Sequence, residues 1–382
     1  MALLAPALAA LALTGGAASL GALRIPVLRL DQEPDSAARL VRLDGWLEQL
    51  HRSGKFNGNV LLARGDEILY EASYGPADLG DEHPLTPRSS FNLASVSKPF
   101  TAFAVVLLQH RGALRYDDPI AAYLPEVAYL EGVSIRHLLH HTAGLVDYMK
   151  LVRQHVSLSQ IEVIDTQAVL DLLATHRPGL QFAPGRAFAY SNTGYVLLAE
   201  IVARASGQPF GTFLDTHVFS PLGMTDTAVV TRGSAPVLAQ RVQGFQRAYG
   251  LFGGPRRLRD LGVFDGVVGD GGMYASARDV WTWHRALSDG CLVPPDAYAE
   301  AYRVGTLADG TQTGYGFGWY VRGRVAEHAG GWLGFATYLH RDLRDDGLIV
   351  ALDNGSNALR MTPVGFRWTS IAFNLQHALS HL

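Results

Sequence analysis

Ser95 and Lys98 lie three residues apart, in the segment Ser-Val-Ser-Lys at the predicted start of a helix. At that spacing two helical side chains share one face, so the Lys98 amine can reach the Ser95 hydroxyl. The first turn of a helix also offers backbone N–H groups to a developing negative charge. A serine nucleophile needs a base, and lysine, unlike arginine, can lose its proton. The pair therefore predicts a nucleophile with its base, although an ordinary helix start fits the same residues.

Tyr190 and Asn192 form a second candidate pair, in the segment Tyr-Ser-Asn just before a predicted helix. A phenol can relay a proton, and an asparagine amide can donate to a substrate carbonyl or accept from an ammonium group. The structural alternative is that Asn192 only caps the helix. A Tyr-x-Asn segment alone identifies no activity.

A third candidate segment, His328-Ala329-Gly330-Gly331, ends a predicted strand. Two glycines at a strand end would let a ligand approach the backbone closely. A simple turn at the end of the strand is the alternative. The two glycines make the segment a candidate for close approach of a ligand.

The elements that must position these residues follow from the spacing of apolar side chains. Helical periodicity is clear at residues 36–50, 97–109, 192–204 and 363–379, and alternating β-rich runs lie at 59–63, 67–73, 325–328, 334–340 and 348–353. Residues 117–266 are mostly helical pieces, and 233–262 is predicted to be a long loop. Strands at both ends of the chain with helices between them predict one sheet built from the two termini and a helical insert.

The composition is that of a folded chain, with 48 % hydrophobic and 18 % charged residues. This balance excludes intrinsic disorder. A net charge of −3 gives no electrostatic reason to expect nucleic-acid binding. The single cysteine, Cys291, excludes an internal disulfide and a cysteine-based metal site.

Residues 2–23 carry no charge, and Arg24 and Arg29 follow them. The segment 1–23 is therefore predicted to be a signal peptide or, alternatively, a membrane anchor. A signal peptide would place the protein in the periplasm or outside the cell, and an anchor would hold it at a membrane. No Lys or Arg precedes the apolar run, which departs from the usual signal peptide.

Taken together, the three motifs resemble those of the serine β-lactamase and penicillin-binding-protein superfamily, which has the order Ser-x-x-Lys, Tyr-x-Asn and His-x-Gly. The likeness is strongest to the branch of class C β-lactamases, D-alanyl-D-alanine carboxypeptidases and esterases. Flanking segments of the same family type lie at 114–126, 135–145, 182–224, 271–274 and 315–319.

The resemblance implies a role for each motif residue. Ser95 would be the nucleophile that forms an acyl-enzyme, Lys98 its general base, and Tyr190 a proton shuttle for the leaving group. Asn192 would hold the acyl amide of the substrate. The substrate-binding set also includes His328, Gly330 and Gly331, and the backbone N–H groups of Ser95 and Gly331 would form the oxyanion hole.

The sequence departs from the family pattern at His328, where β-lactamases usually carry lysine, at Asp270, where a small residue is commoner, and at Leu333, where proline is frequent. A histidine with an ordinary pKa near 6.5 is mostly neutral at pH 7. This change is expected to weaken the binding of anionic substrates by about 1–3 kcal/mol. It predicts that esterase or neutral-amide activity exceeds β-lactamase activity, and that carboxylate substrates react better below about pH 6.5.

His137, His140 and His141 have a spacing that could bind zinc on one helix, but no His-Glu-x-x-His arrangement accompanies them. We therefore expect neither a metal nor another cofactor.

The resemblance implies an α/β (α+β) fold of the β-lactamase/transpeptidase type, with an antiparallel sheet flanked by helices and a mostly helical second lobe. Residues 30–116 and 265–382 would form the sheet domain and 117–264 the helical lobe, with the active site between them. The predicted function is hydrolysis of an amide or ester bond in a small-molecule or peptide substrate through a Ser95 acyl-enzyme. Esterase, D-peptidase, D-alanyl-D-alanine carboxypeptidase and β-lactamase activities stay open, as does a non-catalytic scaffold that keeps the fold.

Overall fold

The computed structural model of the chain describes residues 25–80, 82–233, 238–247, 255–355 and 363–382. Its strands are β1 (Gly58–Arg64), β2 (Glu67–Tyr74), β3 (Phe91–Asn92), β4 (Ala228–Val229), β5 (Phe245–Arg247), β6 (Arg256–Leu258), β7 (Met273–Ala275), β8 (Tyr320–Arg322), β9 (Val325–Trp332), β10 (Phe335–Asp342) and β11 (Gly347–Asp353).

The main sheet has six antiparallel strands in the order β2-β1-β11-β10-β9-β8. Strand β1 from the N-terminal part pairs with β11 from the C-terminal part, with Gly58 opposite Asp353 and Arg64 opposite Gly347. The two ends of the chain therefore build one sheet, as the sequence predicts. A three-stranded sheet, β3-β7-β4, and the two-stranded sheet β5-β6 accompany it.

Side chains of the main sheet alternate between two apolar cores, because successive residues of a strand point to opposite faces. Val60, Leu62 and Ile349 belong to one core with the helices Ser36–Arg52 and Pro363–His381. Leu61 and Val350 belong to the other, larger core, which includes the helices of the central region. The result is a layer of helices on each face of the sheet.

The helix that follows the candidate nucleophile is buried on nearly all sides. It spans Lys98–His110, with Pro99 in its first turn, where a missing N–H costs nothing. Phe100 stacks on Trp283 of the helix Ala277–Asp289, with ring centroids 3.8 Å apart. This packing fixes the start of the helix against the rest of the core.

Most of the regular structure between residues 117 and 264 is helical. The longer α-helices there are Tyr148–His155, Thr166–His176 and Asn192–Ser206, and shorter ones are Ile135–Leu139, Phe210–Leu214 and Ser220–Leu222. The fold class is thus the predicted one, an antiparallel sheet flanked by helices with a mostly helical second lobe. The boundaries 30–116, 117–264 and 265–382 stay a prediction.

Two expectations from the sequence are wrong in detail. The predicted loop at 233–262 contains β5 and β6, which pair with Phe245 opposite Leu258. These strands have three residues each, too few for a periodic signal. The His328–Gly331 segment also does not end its strand, because β9 continues to Trp332.

The predicted signal peptide or anchor at 1–23 lies outside the described residues. Within the described ranges, no helix is both long enough and apolar enough to cross a membrane.

Candidate active site

Ser95 lies in a tight 3₁₀ turn, Ala94–Ser97, that leads directly into the buried helix Lys98–His110. The sequence predicts Ser95 in the first α-helical turn, whereas the structure places it one turn earlier. Ala94 has a φ of +49°, a conformation that costs energy for a residue with a Cβ. The Ala94 N–H donates to Asn92 Oδ1 at 2.8 Å, and Thr337 Oγ1 donates to the Leu93 carbonyl at 2.7 Å. Groups on both sides of the turn therefore hold it in this shape.

The Lys98 amine connects the candidate residues to one another. Its Nζ lies 3.1 Å from Ser95 Oγ, 2.9 Å from Asn192 Oδ1 and 2.7 Å from the main-chain oxygen of Asp270. The last two atoms can only accept hydrogen bonds. When Lys98 loses a proton, the amine can keep donating to both of them while its lone pair accepts the Ser95 hydroxyl proton. The arrangement therefore suits a base directed at Ser95.

Burial lowers the pKa of Lys98 to about 8, because the charged amine is removed from water. The carboxylates of Asp270 and Asp147 act in the opposite direction and limit this decrease. An amine with a pKa close to neutral pH is a better base than an ordinary lysine.

Tyr190 lies beside this amine, with Lys98 Nζ 5.0 Å from the centre of its ring. Burial raises the pKa of the Tyr190 phenol above its usual range, and a hydrogen bond with Ser95 acts in the opposite direction. The phenol therefore keeps its proton at neutral pH. Ser191, not Asn192, caps the following helix, because the Gly194 N–H donates to Ser191 Oγ at 3.2 Å. Asn192 is thus left to bind Lys98, and the capping alternative for Asn192 is wrong.

His141, which the sequence marked only by its zinc-like spacing, belongs to this site. Its carbonyl oxygen accepts the Ala189 N–H at 3.0 Å, and its Nδ1 accepts the Ser191 N–H at 3.1 Å. Its ring centre lies 4.3 Å from that of Tyr190. His141 has a φ of +58°, and its Nε2 has no hydrogen-bond partner in the described part of the chain. No signal in the sequence distinguishes it from the histidine beside it.

His328 is buried, and the structure gives it a different environment from the one expected. Its Nε2 bonds to the Tyr315 hydroxyl at 3.1 Å and its Nδ1 to the Ala329 carbonyl at 2.8 Å. Burial, with the positive charge of Lys98, lowers the pKa of His328 to about 3. The expectation that His328 becomes charged near pH 6.5 is therefore wrong. His328 is also not among the residues that line the cavity at Ser95.

Gly330 and Gly331 bring strand β9 against the Ser95 turn. A Cβ on Gly330 would stand 2.4 Å from the Leu93 carbonyl oxygen and 3.1 Å from the Ser95 backbone nitrogen. Only glycine fits such an approach. Gly331, the next residue, lines the same cavity as Ser95, so the two predicted oxyanion-hole residues are neighbours in space.

A cavity of about 170 Å³ opens at Ser95. Its lining also includes the two carboxylate residues Asp265 and Asp270, together with aromatic side chains such as Tyr148 and Trp332. Burial raises the pKa of both carboxyl groups to about 6. From the sequence, Asp270 is distinguished only as a departure from the family pattern, and Asp265 is not distinguished at all.

The three histidines with zinc-like spacing do not converge on one point. His137 Nδ1 lies 3.1 Å from the Ser134 backbone nitrogen, and His140 Nδ1 lies 3.0 Å from the Tyr315 carbonyl oxygen. The helix ends at Leu139, so His140 and His141 follow it. Across the described ranges, no group of three His, Cys, Asp or Glu side chains is arranged to hold a metal ion.

Comparison with known proteins agrees with this geometry. A family model described as Beta-lactamase matches residues 43–364. The chain is 36 % identical over 323 residues to Penicillin-binding protein 4* of Bacillus subtilis (strain 168), covering 80 % of this chain and 70 % of that protein. It is 32 % identical over 314 residues to Esterase EstB of Burkholderia gladioli, covering 75 % and 80 %. The crystal structure of a penicillin binding protein from Bacillus halodurans superposes with a TM-score of 0.72 at 25 % identity, covering 86 % of this chain and 98 % of that one.

The fold and these relatives thus define the class of the protein as a serine hydrolase. With the family model matched over residues 43–364, this chain belongs to the β-lactamase family.

Proposed function

We propose that the protein hydrolyses esters or amides through an acyl-enzyme on Ser95, with Lys98 as the general base. The observation that carries the proposal is the position of Lys98, whose Nζ lies 3.1 Å from Ser95 Oγ while its two other partners can only accept. Loss of a proton from the amine therefore leaves a lone pair for the Ser95 proton.

In the first half-reaction Ser95 Oγ attacks the substrate carbonyl carbon as its proton moves to Lys98. The backbone N–H groups of Ser95 and Gly331 stabilise the oxyanion. The bond to the leaving group then breaks, and the proton reaches that group from Lys98 by way of the Tyr190 hydroxyl. Asn192 holds the acyl part through its amide. In the second half-reaction water attacks the ester carbonyl and gives a proton to Lys98. The bond between the acyl carbon and Ser95 Oγ then breaks, and Lys98 returns the proton to Oγ, which restores the Ser95 hydroxyl.

The substrate is a small molecule or a peptide, and we propose that a neutral ester or amide is preferred to a β-lactam. This preference is supported by a His328 ring that stays neutral above a pKa of about 3. The two carboxylates in the cavity lining support the same preference, because they would repel the carboxylate that a β-lactam carries. Export to the periplasm or the medium, or retention at a membrane, is proposed on the uncharged segment 2–23.

Intact-mass measurement after treatment with a fluorophosphonate tests the proposal. We expect one adduct on the natural protein and none on Ser95→Ala. Ser97→Ala is the matched control, because Ser97 lies in the same turn but its Oγ accepts the Met273 N–H at 3.3 Å; this variant should still form the adduct. An adduct that persists in Ser95→Ala would overturn the assignment, and its absence from the natural protein would favour the non-catalytic scaffold. A panel of p-nitrophenyl esters, nitrocefin and D-Ala peptides then ranks the substrates.

A further inference from the structure

Within the described part of the chain, the residues that line the cavity at Ser95 include acidic side chains but no basic ones. Among the described residues that line it, Asp265 and Asp270 are acidic, and none is Arg, Lys or His. Lys98, the nearest cation, is held by three oxygen atoms. The cavity wall therefore carries negative charge where a substrate's acyl group must lie.

The two carboxylates differ in the number of hydrogen bonds that their oxygens already accept. Asp265 accepts the Trp332 indole N–H at 2.7 Å through one oxygen and the Gly262 N–H through the other. Asp265 is thus a fixed negative charge with both oxygens in use. The Asp270 side chain, in contrast, accepts one hydrogen bond from another described side chain, the Tyr148 hydroxyl at 3.3 Å.

Asp270 is also connected to Ser95 through a single residue, Lys98. Its main-chain oxygen accepts from Lys98 Nζ at 2.7 Å, and the same nitrogen lies 3.1 Å from Ser95 Oγ. Asp270 also lines the cavity, and its carboxylate accepts from the hydroxyl of Tyr148, another lining residue. A substrate group bound to this carboxylate would therefore lie in the same cavity as Ser95.

The Asp270 side chain is partly buried. A carboxylate that loses part of its contact with water and has no full ion pair is costly, and a cationic ligand group relieves that cost. We propose that Asp270 binds an ammonium group on the acyl part of the substrate, so that the preferred substrates are esters or amides of amino acids with a free amine. The inference rests on the proposed acyl-enzyme function of Ser95. The fixed charge of Asp265 adds to the attraction, and both charges repel substrates with a carboxylate on the acyl part.

The test compares substrates that differ only in the amine. D- and L-phenylalanine methyl esters are measured against methyl 3-phenylpropionate, which has the same skeleton without the amine, by chromatography of the product acids. The measurement is made at pH 6.5, where the amine of the amino-acid ester is mostly protonated and Asp270 is mostly ionised. We expect kcat/KM for at least one enantiomer to exceed that for methyl 3-phenylpropionate by about tenfold to a hundredfold, the usual size of a charged hydrogen bond. Asp270→Asn should reduce this ratio to near one.

Asp147→Asn is the matched control. Asp147 and Asp270 both raise the pKa of Lys98 through their charge, but Asp147 does not line the cavity. Asp147 caps a helix by accepting the Lys150 N–H at 3.0 Å, and asparagine caps equally well. The amine ratio should therefore persist in Asp147→Asn, even if both kcat values change with the pKa of Lys98.

A second measurement covers the case in which Asp270→Asn does not fold. In the natural protein, 3-phenylpropylamine should inhibit hydrolysis of a neutral ester at least tenfold better than 3-phenylpropanol, and 3-phenylpropionate should inhibit least. The inference would be overturned if kcat/KM were equal for the esters with and without the amine, and if Asp270→Asn left this equality unchanged. Hydrolysis that depends on Ser95 would in that case still support the proposed function. Absence of hydrolysis and of the fluorophosphonate adduct would overturn the proposed function itself.

Discussion

His141 fixes the backbone on both sides of Tyr190. Its carbonyl oxygen accepts the N–H of Ala189, and its imidazole Nδ1 accepts the N–H of Ser191. These two hydrogen bonds fix the backbone from which the Tyr190 side chain extends. Burial, together with the nearby charge of Lys98, keeps the pKa of His141 well below its usual value. This direction favours the neutral ring, whose Nδ1 can accept the Ser191 N–H.

Substitution of His141 by alanine should lower kcat more than it raises KM. The change leaves the Ser191 N–H without an acceptor, which costs about 1–3 kcal/mol of unfolding free energy. His141→Asn should recover part of both losses, because asparagine tolerates a positive φ and its Oδ1 lies where Nδ1 was. Steady-state kinetics and thermal unfolding of the three proteins check this. Equal kcat values in His141→Ala and the natural protein would contradict a positioning role.

Lys98→Arg should lose activity almost as completely as Lys98→Ala. Arginine keeps the charge but cannot give up a proton, and general-base catalysis contributes roughly 10²–10⁴ in rate. The measurement is kcat on a neutral ester for both variants, with circular dichroism as the folding control. If Lys98→Arg keeps more than about a tenth of the natural kcat, the amine acts only as a fixed charge.

The pH dependence of kcat/KM should follow the ionisation of Lys98. With a pKa of about 8, the amine is neutral and basic above that pH, so activity on a neutral ester should rise through pH 8. The negative charge of Asp147 raises this pKa, and Asp147→Asn should therefore move the rise to lower pH. A profile from pH 5.5 to 9.5 for both proteins checks the direction. A shift to higher pH would contradict the electrostatic assignment.

His328 should contribute nothing to pH dependence between pH 5.5 and 7.5, because its pKa of about 3 leaves the ring neutral throughout. His328→Gln, which cannot titrate, should show the same pH dependence of the nitrocefin-to-ester rate ratio as the natural protein. Any change in the ratio that comes from Asp270 is common to both proteins. A ratio that rises on acidification only when His328 is present would restore the expectation drawn from the sequence.

Gly330→Ala should destabilise the protein and slow acylation together. The added Cβ would stand 2.3 Å from Thr337 Oγ1 and 2.4 Å from the Leu93 carbonyl oxygen, so β9 or the Ser95 turn must move. Overpacking of this kind costs about 1–3 kcal/mol. Gly179→Ala is the control, because a Cβ there meets nothing within 4 Å. Unfolding in urea measures the loss of stability, and the rate of fluorophosphonate labelling measures acylation. If Gly330→Ala and Gly179→Ala had the same free energy of unfolding and the same labelling rate, strand β9 and the Ser95 turn would not be in tight contact.

The sequence by itself determined the fold class, the family and the order of the three motifs. It could do so because apolar periodicity and short motifs are local properties: the helix at 192–206 and strand β11 were both evident from spacing alone. The proximity of Ser95 and Lys98 could also be predicted, because a spacing of three residues near a helix start places two side chains on the same face.

Only the tertiary structure determined the electrostatics of the site, that is, the pKa values of its side chains and the charge of its cavity. The low pKa of His328 and the raised pKa of Asp270 come from burial among residues distant in sequence, and no local pattern reports how far a side chain is removed from water. The role of His141 is hidden for the same reason, because its partners lie about fifty residues away. The sequence thus identifies the candidate reacting groups, whereas the packing of β9, the Ser95 turn and the segment at Asp270 determines their protonation and the charge that a substrate meets.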